Sequence, residues 1–467
     1  MSKSSEMKNE EVLNSPFSRV YLCPETDQVI NCAMGLKHPI DVEALKKAFS
    51  NSIILNHPRF CSLIVQNPNG THQWKRTHVN IDDHFIIYNT TPETKSRDDK
   101  EDEESAVNAY LADMAVSSPL SKNKPLWEVH VLLGLKCIVL RVHHALGDGV
   151  SLMSMLSTCF GQKKMNGVDG GKDVKNEDCE KRKWKGGLWG IMKSLWFTIV
   201  FGLRLLGRVL WVKDEFTIVS GGDGVELWPR KLVTAKFNIR DLKSIKTVIP
   251  NATVNDVIMG IICSGLSIFI DAKSAQDLKQ RIHLTSILVV NLRQNPFLQI
   301  QENISSYSKK ESSSCGFSLW GNKFGLVLLP AYCCCGLSSL DQVRTIKAIM
   351  DKKKLSYEAH IIYSSLQLLT SFLGPKVASW FCGRVLRNTT MIISNIVGPS
   401  EEIAIANNPV EYIRVNITAQ RHAITMHMVS YAGKADLQVM VAKDIISDPE
   451  FLVKCFQESF LEMKNAF

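Results

Sequence analysis

The sequence predicts an α/β protein of two compact units, and three observations point there. The chain of 467 residues exceeds the length at which a single hydrophobic core keeps growing. Stretches rich in β-formers alternate with stretches of helical period, and no short-period repeat intervenes. Between the halves, Gly161 to Lys183 mixes Gly, Lys, Asp, Asn and Glu with almost nothing to bury, the composition of a flexible linker. A content of 45% hydrophobic and 22% charged residues excludes a chain disordered throughout. The division expected is 1–160, a connecting segment 161–226, and 227–467.

In the first unit, helical spacing recurs over Asp41 to Ile54 and Ser105 to Ala115, with a charged loop at Pro92 to Glu104 between them. Leu126 to Leu133 and Cys137 to Val142 read as two strands around a turn at Gly134, a buried hairpin. A helix follows from about Asp148 and Gly149 through Leu156. In the second unit, helices are expected at Asp241 to Val248, Val254 to Ile270, Ser339 to Lys353 and Asp448 to Met463. Strands are expected at Leu284 to Val290, Leu326 to Leu329, Thr390 to Ser394, Thr425 to Tyr431 and Asp436 to Val441.

The net charge of +9 is regional: Lys181 to Lys213 carries eight basic residues and no acidic one. No nucleic-acid-binding module accompanies it, so nucleic acid is not the expected partner; anionic lipid headgroups are. Lys193, Arg204 and Arg208 fall on one side of a helix, because separations of eleven and four residues return to nearly the same angle. Trp184, Trp189, Trp196 and Trp211 suit headgroup level. The longest uncharged run there, Ser194 to Leu203, is too short to span a bilayer alone. An interfacial helix is the leading reading, with a tilted spanning helix and a buried soluble helix as alternatives.

Met1 to Val12 is polar and lacks the apolar run of a secretory signal. Thirteen cysteines, an odd number without paired metal-like spacing, point to reduced thiols, no metal site and a cytosol-facing protein. Cys333, Cys334 and Cys335 read as small packing residues, with S-acylation beside a membrane as the sharper alternative.

The chemistry sits in His143-His144-Ala145-Leu146-Gly147-Asp148-Gly149, directly after an apolar strand, where the backbone turns and side chains can meet a cleft. Imidazole titrates near neutrality, so one histidine can take a proton from a hydroxyl and return it to a leaving thiolate. Asp148 can steady the turn, and Gly147 and Gly149 relax the backbone around it. No cysteine stands in a nucleophilic constellation with these histidines, which favours direct transfer over a covalent relay.

Together with Pro125-Leu126-Trp127-Glu128, Val254-Asn255-Asp256-Val257, Val290-Asn291-Leu292-Arg293, Trp320-Gly321-Asn322 and Ser394-Asn395-Ile396-Val397-Gly398-Pro399, this motif makes nearly the whole chain resemble one family. That family is the plant wax ester synthase/diacylglycerol acyltransferases, within the CoA-dependent acyltransferase superfamily that shares HHxxxDG. The resemblance implies a chloramphenicol acetyltransferase-like fold of two α/β domains around a tunnel, with acyl-CoA and acceptor entering from opposite mouths. By position in the motif, His144 corresponds to the catalytic base, supported by His143, while Asp148 corresponds to a structural aspartate paired with an arginine, for which Arg293 is the candidate. Ser394 and Asn395 are candidates for oxyanion support and Trp127 for the tunnel wall, each with an ordinary structural alternative in a strand-ending turn or a core aromatic. Asn255 and Asp256 read as helix-capping residues. The uncharged run Ile361 to Pro375 suits either an acyl-channel wall or burial against the sheet. One departure is the uncharged segment after Leu329-Pro330, which leaves the substrate loops open.

The resemblance implies acyl transfer from acyl-CoA, a substrate and not a cofactor, to a long-chain fatty alcohol or a diacylglycerol. The site expected is the cytosolic face of the endoplasmic reticulum membrane, with the plasma membrane as alternative. A soluble acyltransferase for a polar alcohol or amine, and a non-catalytic lipid-binding relative, are the competing readings.

Overall fold

The computed structural model describes residues 10–12, 15–68, 71–89, 99–116, 118–161, 187–274, 282–293, 320–333 and 337–466. The first half runs β1 (Glu10–Val12), α1 (Pro16–Val20), β2 (Val29–Leu36), α2 (Val42–Ser50), β3 (Ser62–Gln66), β4 (His72–Arg76), β5 (Phe85–Tyr88), α3 (Asp99–Val116), β6 (Trp127–Leu132), β7 (Cys137–His143) and α4 (Gly149–Phe160). After α5 (Gly187–Leu210), the second half runs β8 (Arg230–Asn238), α6 (Ile239–Val248), α7 (Val254–Lys273), β9 (Ile282–Asn291), β10 (Phe324–Cys333), α8 (Ser339–Leu355), α9 (Glu358–Phe372) and α10 (Pro375–Arg387). It ends with β11 (Met391–Val397), β12 (Ala404–Ile405), β13 (Asn408–Ile417), β14 (Ile424–Tyr431), β15 (Lys434–Ala442) and α11 (Pro449–Asn465).

Two six-stranded mixed sheets organise these elements, ordered β12-β13-β2-β7-β6-β5 and β10-β9-β11-β14-β15-β8. The predicted hairpin is β6 against β7, antiparallel with Trp127 opposite Val142. Its near-continuous apolar sequence follows from burial on both faces. Cys137 and Val139 join Val107 and Leu111 of α3, whereas Ile138, Leu140 and Val142 enter the larger core on the other side, the alternation a strand imposes. The residue that takes a left-handed conformation in the turn is Lys136, φ 47°, not Gly134.

The second sheet is covered by α7, which begins in a capping box: the Thr253 side chain accepts from the Asp256 N–H while the Asp256 carboxylate accepts from the Thr253 N–H. At Gly265 a Cβ would lie 2.4 Å from the Phe456 ring and 2.9 Å from its backbone, so only glycine lets α11 pack this close.

Two expectations change. The chain does not divide cleanly at the linker, because β12 and β13, from the second half, complete the first sheet: β13 pairs with β2, Arg414 opposite Ala33. A cut at 160 or 227 would expose the edge of β2. The charged loop expected at Pro92 to Glu104 is helical where described, since α3 already starts at Asp99. Cys333 ends β10, while Cys334, Cys335, Trp184 and most of the linker lie outside the described residues.

Candidate active site

The histidine segment is a turn clamped from three sides. At its start, the His144 N–H donates to Gln28 O of the approach to β2 (2.8 Å). At its end, Asp148 caps α4, its Oδ1 accepting from the Ser151 N–H at 2.9 Å. From the side, the short segment 320–323 presses on the turn: Trp320 Nε1–H donates to Leu146 O (2.8 Å) and the Lys323 N–H donates to Asp148 Oδ2 (3.0 Å).

Arg293, just past the end of β9, binds this clamp together. Its guanidinium donates to Asp148 Oδ2 at 2.7 Å and to Gly321 O at 2.6 Å, with its side chain fully buried. Gly321 offers that carbonyl from φ +107°, a backbone conformation that requires glycine, and lies beside Arg59 Nη1. The expected partnership of Asp148 and Arg293 is thus present. Both Asp148 oxygens are occupied in holding the turn.

Gly147 and Gly149 serve differently than expected. Neither has a positive φ; at Gly149 the reason is space, since a Cβ would sit 2.5 Å from Ile396 Cδ1 of β11.

The two histidines diverge. His143 accepts the Ala145 N–H at Nδ1 (3.1 Å), which puts its proton on Nε2, donated to Asp27 Oδ1 at 2.9 Å. Burial alone would raise the Asp27 carboxyl, but this bond together with the electrostatic pull of His143 and Lys122 holds the carboxyl below its usual range. His143 therefore braces the turn. His144 instead lines the central cavity, stacked on Tyr21 with ring centroids 4.1 Å apart. Burial lowers its pKa to about 4, against smaller upward pulls that include Asp148 and Asn322.

Asn322 sets the tautomer. Its Nδ2 donates to His144 O (2.7 Å) and Ser18 Oγ (3.0 Å), which turns Oδ1 toward the ring, 3.1 Å from His144 Nδ1. An oxygen can only accept there, so Nδ1 carries the hydrogen and Nε2 keeps its lone pair. Sequence reading matched Trp320-Gly321-Asn322 to a motif but gave Asn322 no role, because nothing local reveals a partner in the other half of the chain. Asn322→Asp should place a negative charge beside Nδ1, favour imidazolium and move the acid limb of kcat/KM to higher pH. An unmoved limb, read from a pH–rate profile, would remove Asn322 from this role.

The cavity has a volume of about 400 Å³, within the range of small-molecule sites. Besides His144, its polar lining includes Gln28, Gln420, Ser394, Asn395 and His427; the apolar lining comes largely from α1, α5, α9, α10 and strands β9 to β11. Ser394 and Asn395 are thus at the site, and Asn395 Nδ2 donates to Asn255 Oδ1 at 2.5 Å. Asn255 is therefore a cross-link between α7 and β11, while capping belongs to Thr253 and Asp256. His427, which sequence reading passed over inside an apolar strand, stands opposite Ser394 in the parallel register of β11 and β14. It is buried, its Nδ1 has no hydrogen-bond partner, and burial followed by the nearby His144 lowers its pKa to about 4.

Trp127 is a correction. It does not line the cavity: it is fully buried in the core of the first half, stacked on His84 at 3.9 Å and donating Nε1–H to Phe60 O at 2.9 Å. A large aromatic on a strand buried on both faces fills core. The Ile361 to Pro375 run forms most of α9, and Ile361, Ile362, Leu366 and Leu369 wall the cavity. Among the described residues, no group of three or more His, Cys, Asp or Glu is placed to hold a metal ion.

This geometry can be set beside known proteins. A family profile described as "Wax ester synthase/diacylglycerol acyltransferase catalytic domain" matches residues 108–170, and one described as "WS/DGAT C-terminal domain" matches residues 320–464. Wax ester synthase/diacylglycerol acyltransferase 11 of Arabidopsis thaliana is 31% identical over 489 residues, covering 99% of this chain and 97% of the relative. Number 4 of the same plant is 31% identical over 497 residues, covering 99% and 92%. Among solved structures, the wax ester synthase/diacylglycerol acyltransferase from Marinobacter aquaeolei VT8 shares the fold at TM-score 0.57 and 15% identity, covering 96% of this chain and 98% of that one. The trichothecene 15-O-acetyltransferase from Fusarium sporotrichioides does so at 0.59 and 13%, covering 97% and 95%. A buried histidine turn between two mixed sheets, matched along almost its entire length by these plant relatives, belongs to a chain of the wax ester synthase/diacylglycerol acyltransferase family.

Proposed function

We propose that the protein transfers a fatty acyl group from acyl-CoA directly to the hydroxyl of a long-chain alcohol or a diacylglycerol, at a membrane surface, with His144 as general base. One observation carries this reading: a buried imidazole of fixed tautomer lines a largely apolar cavity. In a ternary complex, Nε2 takes the hydroxyl proton as the acceptor oxygen attacks the thioester carbonyl. The tetrahedral intermediate then collapses, the C–S bond breaks, and Nε2–H returns the proton to the CoA thiolate. Ser394, Asn395 and His427 supply polar groups beside the reacting carbonyl. Cys382 also lines the cavity, but burial pushes its thiol up to about 12, so it stays protonated and a covalent relay is disfavoured. No cofactor enters this scheme.

The pH dependence follows from the direction of the His144 shift. A pKa lowered to about 4 keeps the base form dominant above that pH, so the acid limb of kcat/KM should fall near pH 4, below the usual imidazole range. A limb near 6.5 would mean that another group, or a solvated His144, controls the rate.

Membrane attachment is supported by α5. Among the described residues two helices, α5 and α7, are long and apolar enough to cross a bilayer; α7 is buried in the core, whereas Trp189, Trp196 and Leu203 of α5 are each more than 60% exposed. Yet α5 is fastened to the second half along its length, burying Phe201 and Val209 at about 1.5–3 kcal/mol apiece. Fastened so, it suits lying in the interface better than crossing it. Lys193 and Arg204 are exposed. Arg208, expected on the same cationic face, is not: it pairs with Asp214 at 2.6 Å and donates to Asn388 O at 2.6 Å and Thr285 Oγ1 at 2.7 Å. Lys193→Gln with Arg204→Gln should weaken binding to anionic vesicles by on the order of 1 kcal/mol per cation, and salt should do the same. Arg208→Gln should instead loosen the helix. Unchanged vesicle binding in both the variant and high salt would refute a charge-driven interface. The cytosolic face of the endoplasmic reticulum membrane is the proposed location, in keeping with the free cysteines among the described residues.

The deciding assay offers palmitoyl-CoA with hexadecanol, dioleoylglycerol and a panel of polar alcohols and amines. Ester formation with either lipid acceptor is expected; preference for a polar acceptor would overturn the reading.

A further inference from the structure

We infer that the cavity opens sideways between α5 and α9, and that neutral long-chain acceptors reach His144 through this portal from within the bilayer. The inference rests on the membrane-surface acyl transfer proposed above and adds a route to it.

The lining between α5 and α9 reaches the surface. Leu206 of α5 and Ile361 of α9 both line the cavity, yet they are 49% and 40% exposed, and cavity-lining Ser365 is exposed beside them. Around this opening the outer surface is apolar: Leu203, Leu368 and Phe372 are 63%, 59% and 80% exposed. The ties that fasten α5 flank the opening. On one side, Ser194 Oγ donates to Leu355 O (2.8 Å) and the Tyr357 N–H donates to Thr198 Oγ1 (3.1 Å). On the other, Arg384 donates to Val209 O and Leu210 O at 3.1 and 2.9 Å. Between them, Gly202 to Leu206 borders the cavity.

Gly202 is the informative residue. A glycine inside a helix is unfavourable relative to alanine and is usually explained by a neighbour that needs the room. Here nothing lies within 4 Å of where its Cβ would be, and the residue lines the cavity. The space beside it is channel.

What passes must be uncharged. Among the described residues of the lining, Asp148 is the single charged one, and Arg293 already matches it. The phosphates of CoA would lose hydration without compensation in such a mouth, whereas a fatty alcohol or diacylglycerol loses little. Exposed Lys193 and Arg204, and the absence of acidic residues from Gly187 to Lys213, fit an anionic lipid surface around the portal. CoA is left to the polar lining near Asn255 and Asn395.

The test is Gly202→Trp, which fills the portal, with Gly190→Trp as control: Gly190 also has nothing within 4 Å of its Cβ position but does not line the cavity. With palmitoyl-CoA, kcat/KM is measured for hexadecanol in phosphatidylcholine/phosphatidylserine vesicles and for dissolved butanol. Gly202→Trp should lower the hexadecanol-to-butanol ratio by on the order of tenfold, and the control should not. In parallel, a diazirine-bearing hexadecanol is photolysed in the same vesicles, where labelling should fall on Gly202 to Leu206 and Ile361 to Ser365 and be lost in Gly202→Trp. An unchanged ratio, or labelling elsewhere, overturns the portal. Wild-type protein that fails to bind vesicles or to transfer palmitate overturns the underlying function instead, and the photolabel still decides the route.

Discussion

His144→Ala should lower turnover by about 10²–10⁴-fold, the usual contribution of general-base assistance, while leaving the thermal unfolding transition close to that of the wild type. Much of the turn does not depend on the imidazole: Gln28 O holds the His144 N–H, Asn322 Nδ2 holds the His144 carbonyl, and Asp148 caps α4. What the substitution removes is the one cavity-lining imidazole of fixed tautomer. Its stacking on Tyr21 at 4.1 Å is a modest loss by comparison. His143→Ala should cost less activity, since its Nε2–H is committed to Asp27 at 2.9 Å. Kinetics with palmitoyl-CoA and a calorimetric scan check both variants. Near-normal turnover in His144→Ala would refute the assignment, and a larger loss at His143 would exchange the roles.

Asp148→Asn should act on stability as much as on rate. Asparagine still caps the helix, so the change isolates the charge. It leaves the guanidinium of Arg293, whose side chain is fully buried, without its counter-charge. Removing one member of a buried pair typically costs about 3–5 kcal/mol. The loss should spread beyond the turn, because Arg293 also holds Gly321 O, and that segment carries Asn322. Arg293→Met should be similarly damaging alone. Combining the two should cost less than the sum, with a coupling of roughly 0.5–3 kcal/mol. Denaturant melts of the four proteins in the cycle measure it. Additive losses would mean that the 2.7 Å contact does not link them energetically, and a well-folded but inactive Asp148→Asn would imply direct chemistry.

Local regularities carried well from sequence to structure. The largely apolar run Cys137 to Val142 after a turn located β7, the 3.6-residue period of Val254 to Ile270 located α7, and the Asp148-Gly149 step located the start of α4. Each is decided within a few residues, by side-chain period or by a cap that satisfies the first helical N–H groups. The expected pairing of Asp148 with Arg293 came from family resemblance, not from any local pattern. Trp127 misled because a core aromatic and a tunnel-lining aromatic look alike until the packed neighbours, here His84 and Phe60, are known. Arg208 misled for a related reason: helical phase puts it near Arg204, but only the packed neighbours show that it turns inward to Asp214 and Asn388.

The sequence by itself determined the chemistry available, an imidazole at the end of an apolar strand, and the helices and strands that local period and capping specify. Tertiary structure alone decided which imidazole nitrogen keeps its lone pair, that His427 stands opposite Ser394, that β12 and β13 complete the first sheet, and that the apolar cavity runs from His144 to the gap between α5 and α9. The reason is distance along the chain. His144 and Asn322 are separated by 178 residues and Asp148 and Arg293 by 145, and no local pattern encodes a partner so remote. Such contacts are chosen by which buried polar groups can satisfy one another once the two sheets have packed.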